Sequence, residues 1–158
     1  MVKEYQKTML SLFIDSELKL AELYDTLADR FSEERAFFKV HQAEELKHAQ
    51  WIEYFMDKVE GGEVLFHENK TRMDAIKSFL TYAQEILDNV KSDKMTLLMA
   101  LSLSASMEDS LIERRLFGHF SADFPEFQNI LKRLRDETKA HAAEIKKLKL
   151  KYSNLAVR

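Results

Sequence analysis

Apolar side chains recur every three or four positions over most of the chain, the period of a helix face rather than the alternation of a strand. Over residues 3 to 31 the stripe runs Leu10, Phe13, Glu17, Leu20, Ala21, Tyr24, Leu27, Ala28, Phe31. Ser32, followed by Glu33, Glu34 and Arg35, reads as an N-cap with acids in the first turn, where the helix dipole favours them. The second helix, from about Glu33 to Val59, carries Phe37/Phe38, His41, Glu45, His48, Ile52, Phe55 and Val59 on one face, and Gly61-Gly62 closes it. Residues 61–70 read as a loop. Thr71 and Asp74 form a capping box for a helix with the stripe Ile76, Phe79, Leu80, Ala83, Ile86, Leu87, Val90. Ser92 and Asp93 are the candidate caps of the next helix, from near Lys94 to about Phe117, through Leu97, Leu101, Ala105, Glu108, Leu111 and Ile112, with Gly118 as its stop. After the loop GHFSADF, Pro125 takes a first-turn position of the last helix, whose stripe is Phe127, Ile130, Leu131, Leu134, Thr138, His141, Ile145, Leu148. SNLAVR reads as a frayed tail. There is no strand-like alternation and no repeat of fixed period. The pattern predicts an all-α bundle of four long amphipathic helices, with a shorter helix between the second and third, as one domain over residues 1–158.

Composition supports this. With only 3 Gly and 1 Pro, the chain is poor in the residues that punctuate sheets and turns, and 46% hydrophobic residues suffice for a core. The formal net charge of −3, with acids and bases interspersed, gives no reason to expect nucleic acid or an anionic membrane as partner. No window approaches the ~20 apolar residues of a membrane span. Asp15 and Glu17 interrupt the apolar run that a signal peptide would need, so a cytoplasmic protein is expected. The absence of cysteine excludes disulfides, Cys-ligated zinc, rubredoxin-type iron and iron–sulfur clusters within this chain.

Four stripes are interrupted by ionisable residues: Glu17 on the first long helix, Glu45 and His48 on the second, Glu108 on the third and His141 on the last. A spacing of three puts Glu45 and His48 side by side. If the four faces meet, three carboxylates and two imidazoles converge in a core, at a cost of many kcal/mol unless something compensates. Two metal ions would do so, and carboxylate oxygens with imidazole nitrogens suit iron or manganese. Bundle-core dimetal sites use one Glu from each of two helices and a Glu-x-x-His from each of the other two. The bland alternatives are a metal-free polar network in the core and, for an isolated Glu-x-x-His, a solvated helix face. Glu44 reads as such a surface residue, His41 as a buried or outer-sphere histidine, His67 and His119 as solvated, and Met95, Met99 and Met107 as packing.

Glu17 with Tyr24 seven residues on, Glu44-Glu45-x-x-His48, Glu108 after LSLSASM, and Glu137-Thr138-x-x-His141 together resemble the ferritin-like superfamily, closest to the rubrerythrin-like diiron-carboxylate proteins. The resemblance covers the four long helices. It implies a ferritin-like four-helix bundle with an extra helix in the crossover and two iron ions, with manganese or zinc as substitutes. Glu17, Glu45 and His48 would ligate one ion, Glu108 and His141 the other, and Tyr24 would serve the chemistry by bonding a carboxylate. It further implies oxidoreductase chemistry with peroxide, or with dioxygen and ferrous iron, an external electron donor, and a homodimer. The pattern departs at Thr138, where the family carries Glu. Either Glu137 supplies a displaced ligand, or the second ion is held more weakly. Cage-type iron storage fits less well, because a helix occupies the crossover and no short helix follows residue 152. A metal-free interaction module is the remaining alternative.

Overall fold

Five α-helices make up nearly all of the computed structural model, which describes residues 4–63, 66–68, 73–113, 120–122 and 124–157. They are α1 (Glu4–Arg30), α2 (Arg35–Glu60), α3 (Met73–Val90), α4 (Leu97–Glu113) and α5 (Pro125–Ala156). Helices α1 and α2 pack along their lengths as one hairpin, α4 packs on α5, and α3 lies against α1. Each buries the stripe that its period requires. Phe13, Leu20 and Leu27 of α1, Phe38 and Ile52 of α2, Phe79 and Leu87 of α3, Leu101 of α4 and Leu134 and Ile145 of α5 share one core. Polar links tie the helices at the surface: Lys19 of α1 to Gln84 of α3 at 2.8 Å, and Lys146 of α5 to Asp109 of α4 at 2.7 Å. Among the described residues, no helix is long and apolar enough to cross a membrane.

The helix ends correct several expectations. Residues Ser32–Glu34 form a turn of 3-10 helix, and no side chain caps either that turn or α2. The short connection has no free turn to cap, since Phe31 N–H bonds to Leu27 O and Glu34 N–H to Phe31 O. At α4, the cap is Thr96, whose Oγ1 accepts from Met99 N–H at 3.2 Å, so the helix starts three residues later than Ser92-Asp93 would have it. Gly61 ends α2, and Gly62, at φ 71°, takes the left-handed conformation that glycine reaches without a Cβ clash. Pro125 opens α5 as expected. Instead of fraying at SNLAVR, α5 continues to Ala156, helped by Tyr152, whose hydroxyl donates to Glu34 Oε1 at 2.6 Å. Met95 and Met107 are buried, but Met99 is exposed. The two segments expected to be loops contain strands that pair antiparallel, β1 (Phe66–Glu68) with β2 (Phe120–Ala122). Thr71, Gly118 and His119 lie outside the described residues.

The polar interruptions of α1, α2, α4 and α5 meet inside the bundle. Directly along the axis from them, Leu10, Phe13, Ile52, Phe55, Ile130, Leu131 and Leu134 line an apolar cavity of about 10 Å³. Phe13, Ile52 and Leu134 stand one helical turn from Glu17, His48 and Thr138.

Candidate metal centre

Five ionisable side chains converge, each 2% exposed or less: Glu17, Glu45, His48, Glu108 and His141. Glu45 is at the middle. Its Oε2 lies 3.1 Å from His48 Nδ1 and its Oε1 lies 2.7 Å from His141 Nδ1. One carboxylate thus presents one oxygen to each imidazole. Glu17 flanks the first side, with Oε2 3.7 Å from His48 Nδ1, and Glu108 flanks the second, with Oε1 3.8 Å from His141 Nδ1. The two rings lie nearly parallel, 19° apart with centroids at 5.4 Å. Tyr24, fully buried, donates its hydroxyl to Glu108 Oε1. Glu45, His48 and His141 offer ligand atoms within 4.8 Å of one another, close enough to hold a metal ion.

Two oxygens are left over. Glu17 Oε2 and Glu108 Oε2 are buried and make no hydrogen bond. A buried carboxylate oxygen without a hydrogen-bond donor loses its hydration and regains little; Glu17 Oε2 has only the His48 ring at 3.7 Å. Both belong to the flanking acids, one on each side of Glu45. Oxygen donors left open beside two imidazole nitrogens fit the donor set of a dimetal carboxylate centre.

The protonation of the metal-free cluster follows from the same geometry. Burial, aided by the charge of Glu45, pushes the Glu17 carboxyl well above the usual carboxylate range, and the same two effects raise Glu108 to about 7. Burial opposes charge on Glu45 as well, but the hydrogen bonds of His141 and His48 outweigh it and hold Glu45 ionised. Burial disfavours the imidazolium forms, yet the surrounding carboxylates prevail and raise His48 to about 10 and His141 to about 11. Tyr24 is pushed well above its ordinary value by burial and the charge of Glu108, so its hydroxyl keeps its proton. Protons therefore compensate this cluster when no metal does.

The outward edges of both imidazoles are held. His48 Nε2 lies 2.9 Å from Glu137 Oε2, and His141 Nε2 lies 2.8 Å from Glu44 Oε2. Each ring is fixed by an outer carboxylate with its Nδ1 turned into the cluster, the arrangement that orients metal-ligating histidines. Glu137 also meets Lys47 and Arg133, both at 3.5 Å, at the solvent side. Trp51 packs against His48, with centroids 5.6 Å apart and the rings tilted by 34°, and carries Lys47 and Arg133 over its ring at 4.9 and 4.3 Å.

The structure brings together Glu17, Tyr24, Glu45, His48, Glu108 and His141 as the sequence pattern anticipates. It does not bring Glu137 among the inner carboxylates; that residue reaches His48 rather than filling the position beside His141. Thr138 is buried on the inner face, and its Oγ1 donates to Leu134 O at 2.7 Å, turned back on its own helix. Glu44 corrects the expectation of a plain surface residue, since it holds His141. A second missed residue is Trp51. Its spacing of three from His48 was a signal for that contact, but tryptophan on a helix face more often means packing. No protein-family model matches the chain, and no curated protein or solved structure matches it.

Proposed function

We propose that the chain is a ferritin-like, rubrerythrin-like non-haem dimetal carboxylate protein that holds two iron ions, with manganese or zinc as substitutes. The observation that carries this reading is Glu45, whose two oxygens face the inward nitrogens of two histidines while Glu17 and Glu108 stand open on either side. Glu17, Glu45 and His48 form one donor set; Glu108, Glu45 and His141 form the other. When bound, such a pair of ions supplies one-electron steps toward dioxygen or hydrogen peroxide. The three carboxylates stabilise the more highly charged ions, and the outer acids keep each imidazole facing inward. Tyr24 holds a proton at Glu108 Oε1, where it can pass to that carboxylate or be withheld from it. With no cysteine in the chain, electrons come from a separate donor or from ferrous iron itself.

Anaerobic titration with ferrous iron tests the reading. Two ions per chain are expected, with the count lost in Glu45→Ala. A wild-type protein that takes up no iron, manganese or zinc would overturn it.

A further inference from the structure

We propose that the apolar cavity beside the cluster is a binding pocket for dioxygen, and that it makes dioxygen, rather than hydrogen peroxide, the oxidant of the centre. Its seven lining side chains, from α1, α2 and α5, are all leucine, isoleucine or phenylalanine, and they leave about 10 Å³. That is close to the room one water molecule takes, but a buried water needs about two to four polar partners, and this wall offers none. Such a space stays dry and takes a small apolar molecule. Its size excludes a molecule much bulkier than a diatomic gas. Hydrogen peroxide is disfavoured by its hydroxyl groups, since each would give up hydration here and meet no acceptor.

The placement serves delivery. Phe13, Ile52 and Leu134 stand one turn from Glu17, His48 and Thr138, so the pocket adjoins the cluster from three helices at once, on the side of the first donor set. On α5 the intervening residue is a neutral threonine, and its hydroxyl hydrogen is engaged on Leu134 O at 2.7 Å. A glutamate at position 138 would stand a carboxylate at this end instead. Toward solvent the walls are unequal. Ile130 is half-buried, whereas the other six are 5% exposed or less, which makes Ile130 the mouth of the pocket. The polar approach lies elsewhere, where Glu44 and Glu137 reach solvent with side chains 36% and 28% exposed. An apolar oxidant and a polar one thus have separate ways in. Delivery to the centre rests on the dimetal reading; the pocket itself does not.

Methyl NMR spectra of the full metal-free chain, under a pressure of dioxygen and then of nitrogen, test the pocket, because dioxygen is paramagnetic and shifts and broadens the signals it touches. The methyls of Leu10, Ile52, Leu131 and Leu134 are expected to respond more than those of Leu87 and Leu101, which are likewise buried but stand outside the pocket wall. An equal response would overturn the pocket. Leu131→Phe fills it, and Ile130→Trp closes its mouth at a half-buried position. In the protein loaded with ferrous iron, each is expected to slow oxidation of the iron by dioxygen several-fold, with oxidation by hydrogen peroxide and the number of bound ions unchanged. Variants that slow both oxidants alike, or neither, would overturn the delivery role. If the wild type takes up no metal, the dimetal reading falls and delivery with it, while the methyl comparison still decides the pocket.

Discussion

At the scale of single residues, the cluster makes opposite demands with and without metal. Glu45→Ala and His48→Ala each remove an inner donor, so both are expected to abolish tight metal binding in a titration. Each also leaves its partners in the metal-free cluster buried without their counter-charge, so the metal-free variants are expected to melt below the wild type. Thr138→Glu separates the two readings of the last helix. Because Thr138 bonds its own helix and Glu137 is engaged on His48, neither supplies the missing carboxylate. Thr138→Glu is expected to tighten the second ion and raise the melting temperature of the metal-loaded protein by linkage, while lowering that of the metal-free protein. Glu137→Ala is expected to keep the metal count but weaken affinity about 10–100-fold, as loss of an outer carboxylate does. A lost ion in Glu137→Ala, by calorimetric titration, would show it to be a ligand after all. The inner five were legible because they break a three–four period at positions where only burial makes sense. Glu44 was not, because its register points outward and only the reach of its side chain across to α5 brings it to His141.

At the scale of elements, the helices were legible and their ends less so. A stripe such as Leu10, Phe13, Leu20, Tyr24, Leu27 admits one period, whereas a boundary depends on which of several polar residues finds a free N–H. Thr96 prevails over Ser92 and Asp93 because its hydroxyl meets Met99 N–H. Thr96→Ala is therefore expected to cost about 1 kcal/mol in denaturant unfolding, and Thr96→Ser close to nothing. Ser92→Ala is expected to have no comparable effect. The paired strands β1 and β2 gave no periodic signal, since three residues are too few to show alternation. Leu134 joins the core to the cluster, lining the apolar cavity and accepting the Thr138 hydroxyl through its carbonyl. Leu134→Ala enlarges a space that is already imperfectly filled, and is expected to cost about 2–5 kcal/mol in the same measurement.

At the scale of the whole molecule, the buried titrations give the metal-free and loaded proteins opposite responses to pH. His48 and His141, ordinarily at 6.5, are raised to about 10 and about 11 in the folded chain. The native state thus binds more protons than the unfolded one above pH 6.5, so their contribution is complete below that pH and is lost as pH rises through 10 and 11. Glu108, raised from 4.5 to about 7, acts in the same direction between those values. Metal binding must expel these protons, so affinity rises over the range in which the metal-free fold weakens. Calorimetric scans at pH 6 and pH 9 are expected to show the metal-free melting temperature falling and the gain on adding metal growing. A metal-free melting temperature that rises with pH would contradict the assigned protonation. None of this could be read from composition, because a net charge of −3 says nothing about where the acids lie.

The chain contains one tryptophan, and Trp51 rests against His48 beneath two cations. Its fluorescence consequently originates within a few ångströms of the centre and from nowhere else in the protein. An ion with an open d shell at His48 offers the excited indole a route to decay without light, and d¹⁰ zinc does not. Emission is expected to dim in step with iron or manganese uptake and to stay bright with zinc, so a closed-shell ion is told from an open-shell one optically in the unlabelled protein.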